Sequence, residues 1–203
     1  MKTTEQVKNY VEGLSTGQPF LAADLQHFGS PENIRKILSR LVEAGKLKRV
    51  LRGVFVKPRK SAYLGVALPS PYEVVQAIAK NTGETVTIHG AEAARRLHLT
   101  TQVPMQAMFN TSGLSRKIRV GNQIITLQHV GSRKLVAPGT TRGNVISALW
   151  YLGKEKVSQK TIQTIKQQLN EEEFNSALQE IPKMPAWMAK QFYLHQHKER
   201  GCH

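Results

Sequence analysis

Ser30-Pro-Glu-Asn-Ile-Arg-Lys-Ile-Leu-Ser-Arg-Leu-Val-Glu-Ala-Gly45 opens and closes like a helix and carries two different faces. Ser30 is a good N-cap, and Pro31 suits the first helical position, where its missing N–H would have no partner anyway. Gly45 stands where a C-cap belongs. Ile34, Ile37, Leu38, Leu41 and Val42 recur at helical spacing as one apolar stripe. Asn33, Arg35, Lys36, Ser39, Arg40 and Glu43 are left to face outward. That face is basic and amide-rich. It suits a helix lying in a DNA major groove, since Arg and Lys reach guanine acceptors or phosphates and Asn reads adenine.

The flanks extend the pattern. Leu21 to Phe28 reads as a short helix ending at Gly29-Ser30, so the two helices form a helix-turn-helix pair. Thr3 or Thr4 caps a preceding helix that runs through Leu14, with Val7, Tyr10, Val11 and Leu14 packing under the second one. Between them Phe20 opens the helix-turn-helix, at a position where many winged helices have a short strand paired with the wing. Downstream, Lys46-Leu-Lys-Arg-Val-Leu-Arg-Gly-Val-Phe-Val-Lys57 alternates apolar and basic residues around a turn at Arg52-Gly53. Leu47, Val50 or Leu51, Val54 and Val56 are available for its buried side. A lone helix with such a face is more often simply solvated. With the basic hairpin attached, the order is that of a winged helix.

Charge supports a polyanionic partner. There are 29 Lys and Arg against 14 Asp and Glu, a formal net charge of +15. Divided at Pro69, the first part has 12 basic and 5 acidic residues and the second 17 and 9, so both are basic, at +7 and +8. DNA contact therefore need not be confined to the first part. Arg116, Lys117, Arg119, Arg133, Lys134 and Arg142 are candidates for a second basic surface. Lys57-Pro-Arg-Lys60 ends the hairpin, as a phosphate contact or as a plain linker.

A chain of 203 residues, 40% hydrophobic, can bury one large core or two modest ones, and the element pattern favours two. The expected division is a winged helix-turn-helix over 1–60 and an α+β domain over 68–203 with a helical C-terminal part. Ser70, Pro71 and Glu73 open the second domain with a capping box. Thr85 to Ile88 reads as a strand, Ala91 to Leu97 as a helix and Met105 to Asn110 as a second strand. Lys117 to Val130 follows as the clearest hairpin, giving a small, mainly antiparallel sheet. Helices follow over Thr141 to Leu152, Ser158 to Leu169, from Asn170, and around Trp187 to His197.

No apolar run approaches a membrane span and the N-terminus lacks a signal-peptide core, so a cytoplasmic protein is expected. Cys202 is the single cysteine, which excludes an intramolecular disulfide and a cysteine zinc cluster. Asp24 is the only aspartate, so any paired-carboxylate metal site would need glutamates alone, with Glu73, Glu84 and Glu92 nearest the sheet. Glu73 already has a capping role and Glu92 suits a first helical turn. Walker and dinucleotide motifs are absent from the sequence. The expectation is a protein without catalytic activity, cofactor or metal. His195, His197 and His203 do not share a helix face, and His89, His98 and His129 are expected to be structural or surface residues.

The Leu-Lys-Arg-Val-Leu-Arg-Gly-Val-Phe hairpin, the Ser-Pro-Tyr-Glu helix start and the segment Ile88-His-Gly-Ala-Glu-Ala-Ala-Arg-Arg-Leu-His-Leu-Thr-Thr-Gln-Val-Pro104, in this order, resemble the AbiEi-type antitoxins of type IV toxin-antitoxin systems. The resemblance covers nearly the whole chain. It implies an N-terminal winged helix that represses its own operon by binding the promoter. It also implies a C-terminal domain that counteracts a nucleotidyltransferase-like toxin encoded beside it, without a necessarily stable complex. A standalone winged-helix regulator with a ligand-sensing or dimerising second domain is the alternative, and an RNA-binding module is a third class. In the first of these readings Asn33, Arg35, Lys36, Ser39 and Arg40 face the major groove. Lys46, Lys48, Arg49 and Arg52 hold phosphates or the minor groove from the wing.

Overall fold

The computed structural model describes residues 2–61 and 65–200. Cys202 and His203, the thiol and tail histidine weighed above, lie outside the described residues. The chain is α+β and divides into two compact units, one running up to Glu84 and including Arg119–Ile124, the other made of Thr85–Ile118 and Ile125 onward.

In the first unit, α1 (Thr3–Gly13), β1 (Pro19–Leu21), a 3₁₀ helix (Ala22–Phe28), α2 (Pro31–Glu43), β2 (Lys48–Leu51) and β3 (Val54–Val56) follow in order. Helix α1 is not capped by a threonine: Lys2 holds the N-cap position without a side-chain bond, and Thr3 is already helical. The Thr3 side chain instead lies against Gly29, where an added Cβ would come within 2.9 Å of it. Helix α2 starts as its sequence predicts, with Ser30 Oγ accepting from the Asn33 N–H and Pro31 in the first turn. It ends one residue before the expected cap. Ala44 is the C-cap, and Gly45 at φ +69° follows it, with the Gly45 N–H donating to Val42 and the Lys46 N–H to Leu41. That pair of bonds is the Schellman arrangement, which satisfies the last carbonyls and turns the chain directly into β2.

Strand β3 is the middle of a three-stranded antiparallel sheet in the order β1-β3-β2, so Val54, Phe55 and Val56 are all buried. A bulge between Arg49 and Leu51 shifts the register and turns Val50 inward. Gly53, at φ +82°, makes the two-residue turn with Arg52. Phe20 on β1 meets Phe55 at 6.0 Å and Tyr10 at 5.8 Å between ring centres, and joins Val7, Val11, Leu25, Ile34, Ile37, Leu38 and Leu41 in one core. Lys57, just beyond β3, donates from Nζ to the carbonyls of Glu12 (2.9 Å) and Leu14 (3.2 Å), two acceptors that α1 leaves open at its C-terminal end. The hairpin β4 (Arg59–Ser61) and β5 (Gly65–Ala67) then leads to α3 (Pro71–Thr82). The Ser70–Glu73 capping box forms as predicted, and α3 is grouped with the first unit, although the sequence reading begins the second domain at residue 68.

The second unit holds, apart from the hairpin tip Arg119–Ile124, a sheet in the order β6-β7-β9-β8, from β6 (Val86–Ile88), β7 (Ala107–Thr111), β8 (Arg116–Val120) and β9 (Gln123–His129). Strands β6 and β7 are antiparallel, whereas β7 and β9 run parallel, because β9 returns from its hairpin with β8 to lie between β8 and β7. Helices α4 (Gly90–Arg96), α5 (Thr141–Leu152), α6 (Gln159–Gln168), α7 (Glu171–Leu178) and α8 (Ala186–Arg200) complete it. Helix α5 buries Gly143, Val145, Ile146, Ser147, Ala148 and Leu149, more than the single apolar face its sequence predicts. Against it α4 brings only small residues, Gly90, Ala93 and Ala94. A Cβ at Gly90 would stand 2.3 Å from the Ser147 carbonyl oxygen and 2.5 Å from the Tyr151 Cβ. No helix among the described residues is long and apolar enough to cross a membrane.

At the start of α4, His89 Nδ1 accepts from the Ala91 N–H at 3.2 Å. Burial pushes the His89 pKa below its usual 6.5, and the Lys134 charge adds to the effect. Glu92 accepts from Arg95 and from Arg96, each at 2.8 Å, and these hydrogen bonds, that of Arg95 foremost, hold its carboxyl at about 2 instead of 4.5. Both folded-state pKa values lie below those of the unfolded chain, so acid favours unfolding. The expected pH profile of stability therefore loses a first increment as pH falls below 6.5 and a second between 4.5 and about 2. Urea midpoints across this range check it: His89→Asn, which keeps an N-cap acceptor but does not titrate, flattens the first window and leaves the second.

Candidate nucleic-acid interface

Helix α2 runs into the β2–β3 hairpin through the Schellman turn, and its Ile34, Ile37, Leu38 and Leu41 lie in one core with Leu47 and Phe55, so the conformation of one sets the departure of the other. Of the apolar residues of both, Ile34, Ile37, Leu38, Leu41, Leu47, Val50, Val54, Phe55 and Val56 are buried, and Val42 and Leu51 are half-buried. The nine polar residues singled out from the sequence, Asn33, Arg35, Lys36, Ser39, Arg40, Lys46, Lys48, Arg49 and Arg52, are all exposed. The hydrophobic effect thus orients the polar set without any contact among its members.

The charge is unevenly spread. Lys46, Lys48, Arg49 and Arg52 add four positive charges with no carboxylate between residues 44 and 59. The helix is nearly balanced, with Arg35, Lys36 and Arg40 against Glu32 and Glu43, three minus two. At 3.6 residues per turn, the line directly opposite the buried side chains runs through Glu32, Lys36, Ser39 and Glu43. Arg35 flanks this line on one side, Asn33 and Arg40 on the other. Ser39 Oγ donates to Glu43 Oε1 at 3.4 Å. Arg35 donates from Nη2 to Glu32 Oε1 at 2.8 Å and from Nε to the Pro31 carbonyl at 3.2 Å. The outward-facing set expected from the sequence lacks Glu32, although its spacing from Lys36 and Ser39, four and seven residues, assigns it there. Lys57 differs from the other cations near the hairpin, because its ammonium is already bonded to the end of α1.

The second set of basic residues is heterogeneous. Lys117 and Arg119 are exposed on β8, and Arg133 and Lys134 are exposed on the 3₁₀ turn Ser132–Lys134. Lys134 Nζ stands 5.2 Å from the centre of the Trp150 ring. Arg116 is half-buried and donates to the Leu114 carbonyl at 3.1 Å. Arg142 is a structural cation: its Nε lies 3.1 Å from Glu180 Oε1, whose side chain is only 5% exposed and is also bonded by Lys183 at 2.8 Å. A carboxylate that deep requires such partners, since an unpaired buried charge is strongly destabilising. Trp187 packs edge-to-face on Trp150 at 6.0 Å, and Phe192 is fully buried, as expected for packing residues. Among the described residues, no group of three His, Cys, Asp or Glu side chains comes together as a metal site.

Residues 6–177 match the model of one protein family, a family of unknown function (DUF6088). No curated protein matches the sequence.

Proposed function

We propose that this chain, which belongs to the family DUF6088, is a non-enzymatic, cytoplasmic DNA-binding regulator whose first unit is a winged helix. On this reading α2 is the recognition helix in the major groove and the β2–β3 hairpin is the wing. The observation that carries the reading is the shared exposure of nine polar and basic residues on a helix and a hairpin that are linked by one capping turn and share one core. The antiparallel sheet order β1-β3-β2 behind three short helices supports it, as does the net charge of +15. The finer assignment, an autorepressing antitoxin of a type IV operon whose second unit counteracts a nucleotidyltransferase-like toxin, is supported by the resemblance to AbiEi-type antitoxins.

The test is binding of the full-length protein to the DNA upstream of its own gene and to random duplex, across a range of salt. Selective binding that persists at physiological salt is expected; equal, steeply salt-sensitive binding to every duplex would remove the regulator reading. Within the same assay Arg40→Ala should cost about 1–3 kcal/mol of discrimination between sites, and Lys48→Ala should weaken binding to all duplexes alike. Equal losses on both duplexes for Arg40→Ala would remove Arg40 from the base-reading set. Co-expression with an adjacent reading frame tests the antitoxin assignment: relief of that frame's toxicity supports it, and unrelieved toxicity counts against it.

A further inference from the structure

We infer that Glu32, together with Arg35, is a specificity-determining pair that reads one G·C base pair in the major groove. The inference rests on the proposal that α2 is the recognition helix. Glu32 lies in the first turn of α2, the part of such a helix that approaches base edges. It also lies on the line opposite the buried face, the position nearest the floor of a groove. A carboxylate there is repelled by the phosphates on both sides. The helix dipole favours a carboxylate in this first turn, but toward DNA it contributes to binding where a base donates to it.

Two base edges donate in the major groove, cytosine N4 and adenine N6; Asp and Glu side chains are suited to the cytosine amino group, and the G·C pair alone sets two adjacent acceptors on one side of such a donor. The guanine paired with that cytosine presents two acceptors beside it, O6 and N7, which suit an arginine fork. The Glu32–Arg35 pair presents the complementary order of charges. Its two side chains are 67% and 66% exposed and are joined at 2.8 Å, so they reach the groove as one unit. The Pro31 carbonyl, accepting from Arg35 Nε at 3.2 Å, fixes the guanidinium further. Glu32 Oε1 and Arg35 Nη2 hold the pair together. Glu32 Oε2 remains for cytosine, and Arg35 Nη1 with the second proton of Nη2 forms the fork that remains for guanine. Preorganisation of this kind removes the rotamer freedom two long side chains would otherwise lose on binding.

The pair differs in its signature from a contact made by Arg40 or Lys36. Removing a cation weakens binding everywhere, whereas removing Glu32 relieves phosphate repulsion and strengthens binding to unrelated duplexes. Glu32→Gln should therefore raise affinity for random duplex severalfold. It should also lower the preference for one G·C pair by roughly tenfold or more, the range of a good base contact. Arg35→Ala should lose the preference at that same base pair, and the double variant should lose no more than the larger single loss.

The experiment selects bound sequences from a library of randomised duplexes with the wild-type chain, Glu32→Gln, Arg35→Ala and the double variant. Affinities for the selected site and its single-base-pair variants are then measured. Loss of preference at one shared G·C pair in both single variants is the expected result. If Glu32→Gln strengthens binding to selected and random duplexes by the same factor, the glutamate is a repulsive charge only and the inference is overturned. If its preference is retained while Arg40→Ala loses selectivity, this inference falls and the winged-helix reading stands. A wild-type chain that selects no sequence overturns both. The two side chains are exposed, so the variants are expected to fold, and unchanged thermal unfolding checks that they do.

Discussion

Gly90→Ala is expected to destabilise the second unit by about 3 kcal/mol, at the upper end of the usual cost of overpacking a core. The atom that an added methyl meets is the backbone carbonyl of Ser147, 2.3 Å away, in the middle of a helix buried on several sides. A flexible side chain can rotate aside, but a carbonyl in a hydrogen-bonded helix moves only with the helix. Tyr151 Cβ, at 2.5 Å, closes the other direction, so the strain has no inexpensive outlet. Helix propensity favours alanine over glycine by up to about 1 kcal/mol, and the sign of the effect is set by the contact winning over that gain. Gly13→Ala, in α1 with no atom within 4 Å of its Cβ, isolates the propensity term and should be neutral or slightly stabilising. Urea denaturation of the two variants decides the matter. A Gly90→Ala midpoint equal to wild type would mean that α4 does not approach α5 as closely as described.

Simultaneous replacement of Lys46, Lys48, Arg49 and Arg52 by alanine should nearly abolish binding to duplex DNA while leaving the fold intact. On the proposed reading each of the four neutralises a phosphate, and each such contact contributes about 0.9 to the slope of log affinity against log salt. Four contacts remove up to about 3.6 from that slope. Over the decade from 0.1 M to 1 M salt this amounts to about four thousandfold in affinity at the lower concentration. All four side chains are exposed, so thermal unfolding should stay within about 0.5 kcal/mol of wild type. Lys57 is kept, because its charge is already engaged with α1. A titration over salt concentration reads the slope directly. A slope unaltered by the four substitutions would remove the hairpin from the interface and shift the electrostatic contact to other cations, with Lys117, Arg119, Arg133 and Lys134 the next set to replace.

Much of this architecture is written in local chemistry. Ser30, Pro31 and Gly45 bracket α2 because capping and φ preferences act within a few residues, and the same holds for Ser70 and Glu73 at α3 and for Asn170 and Glu173 at α7. The parallel pairing of β7 with β9 is different, since nothing near either strand encodes which neighbour a returning hairpin inserts beside. The same is true of Gly90, which looks like an ordinary helix entrance until Ser147, 57 residues later, is found against it. In the candidate interface the exposure of the nine polar residues follows from the periodicity of their apolar neighbours. Arg142 was legible only as a charge, because its partner Glu180 lies 38 positions away in a segment with no visible link to it. Glu32 is a different case: simple helical spacing assigns it to the middle of the face, but its charge is opposite to that of the basic residues that mark the face in the sequence.

The bond from Lys57 to the end of α1 has a consequence for how the first unit comes apart. It joins positions 43 and 45 residues distant along the chain, closing a loop that contains β1, the 3₁₀ helix, α2 and the β2–β3 hairpin. A fluctuation that frees β3 from the sheet must also release the last carbonyls of α1, and fraying at the end of α1 withdraws the acceptors that hold Lys57. The two ends of this loop therefore belong to one cooperative opening unit, and their amide protons should exchange with solvent at a common free energy. Acetylation of Lys57, which removes two of the three ammonium protons along with the charge, would separate them.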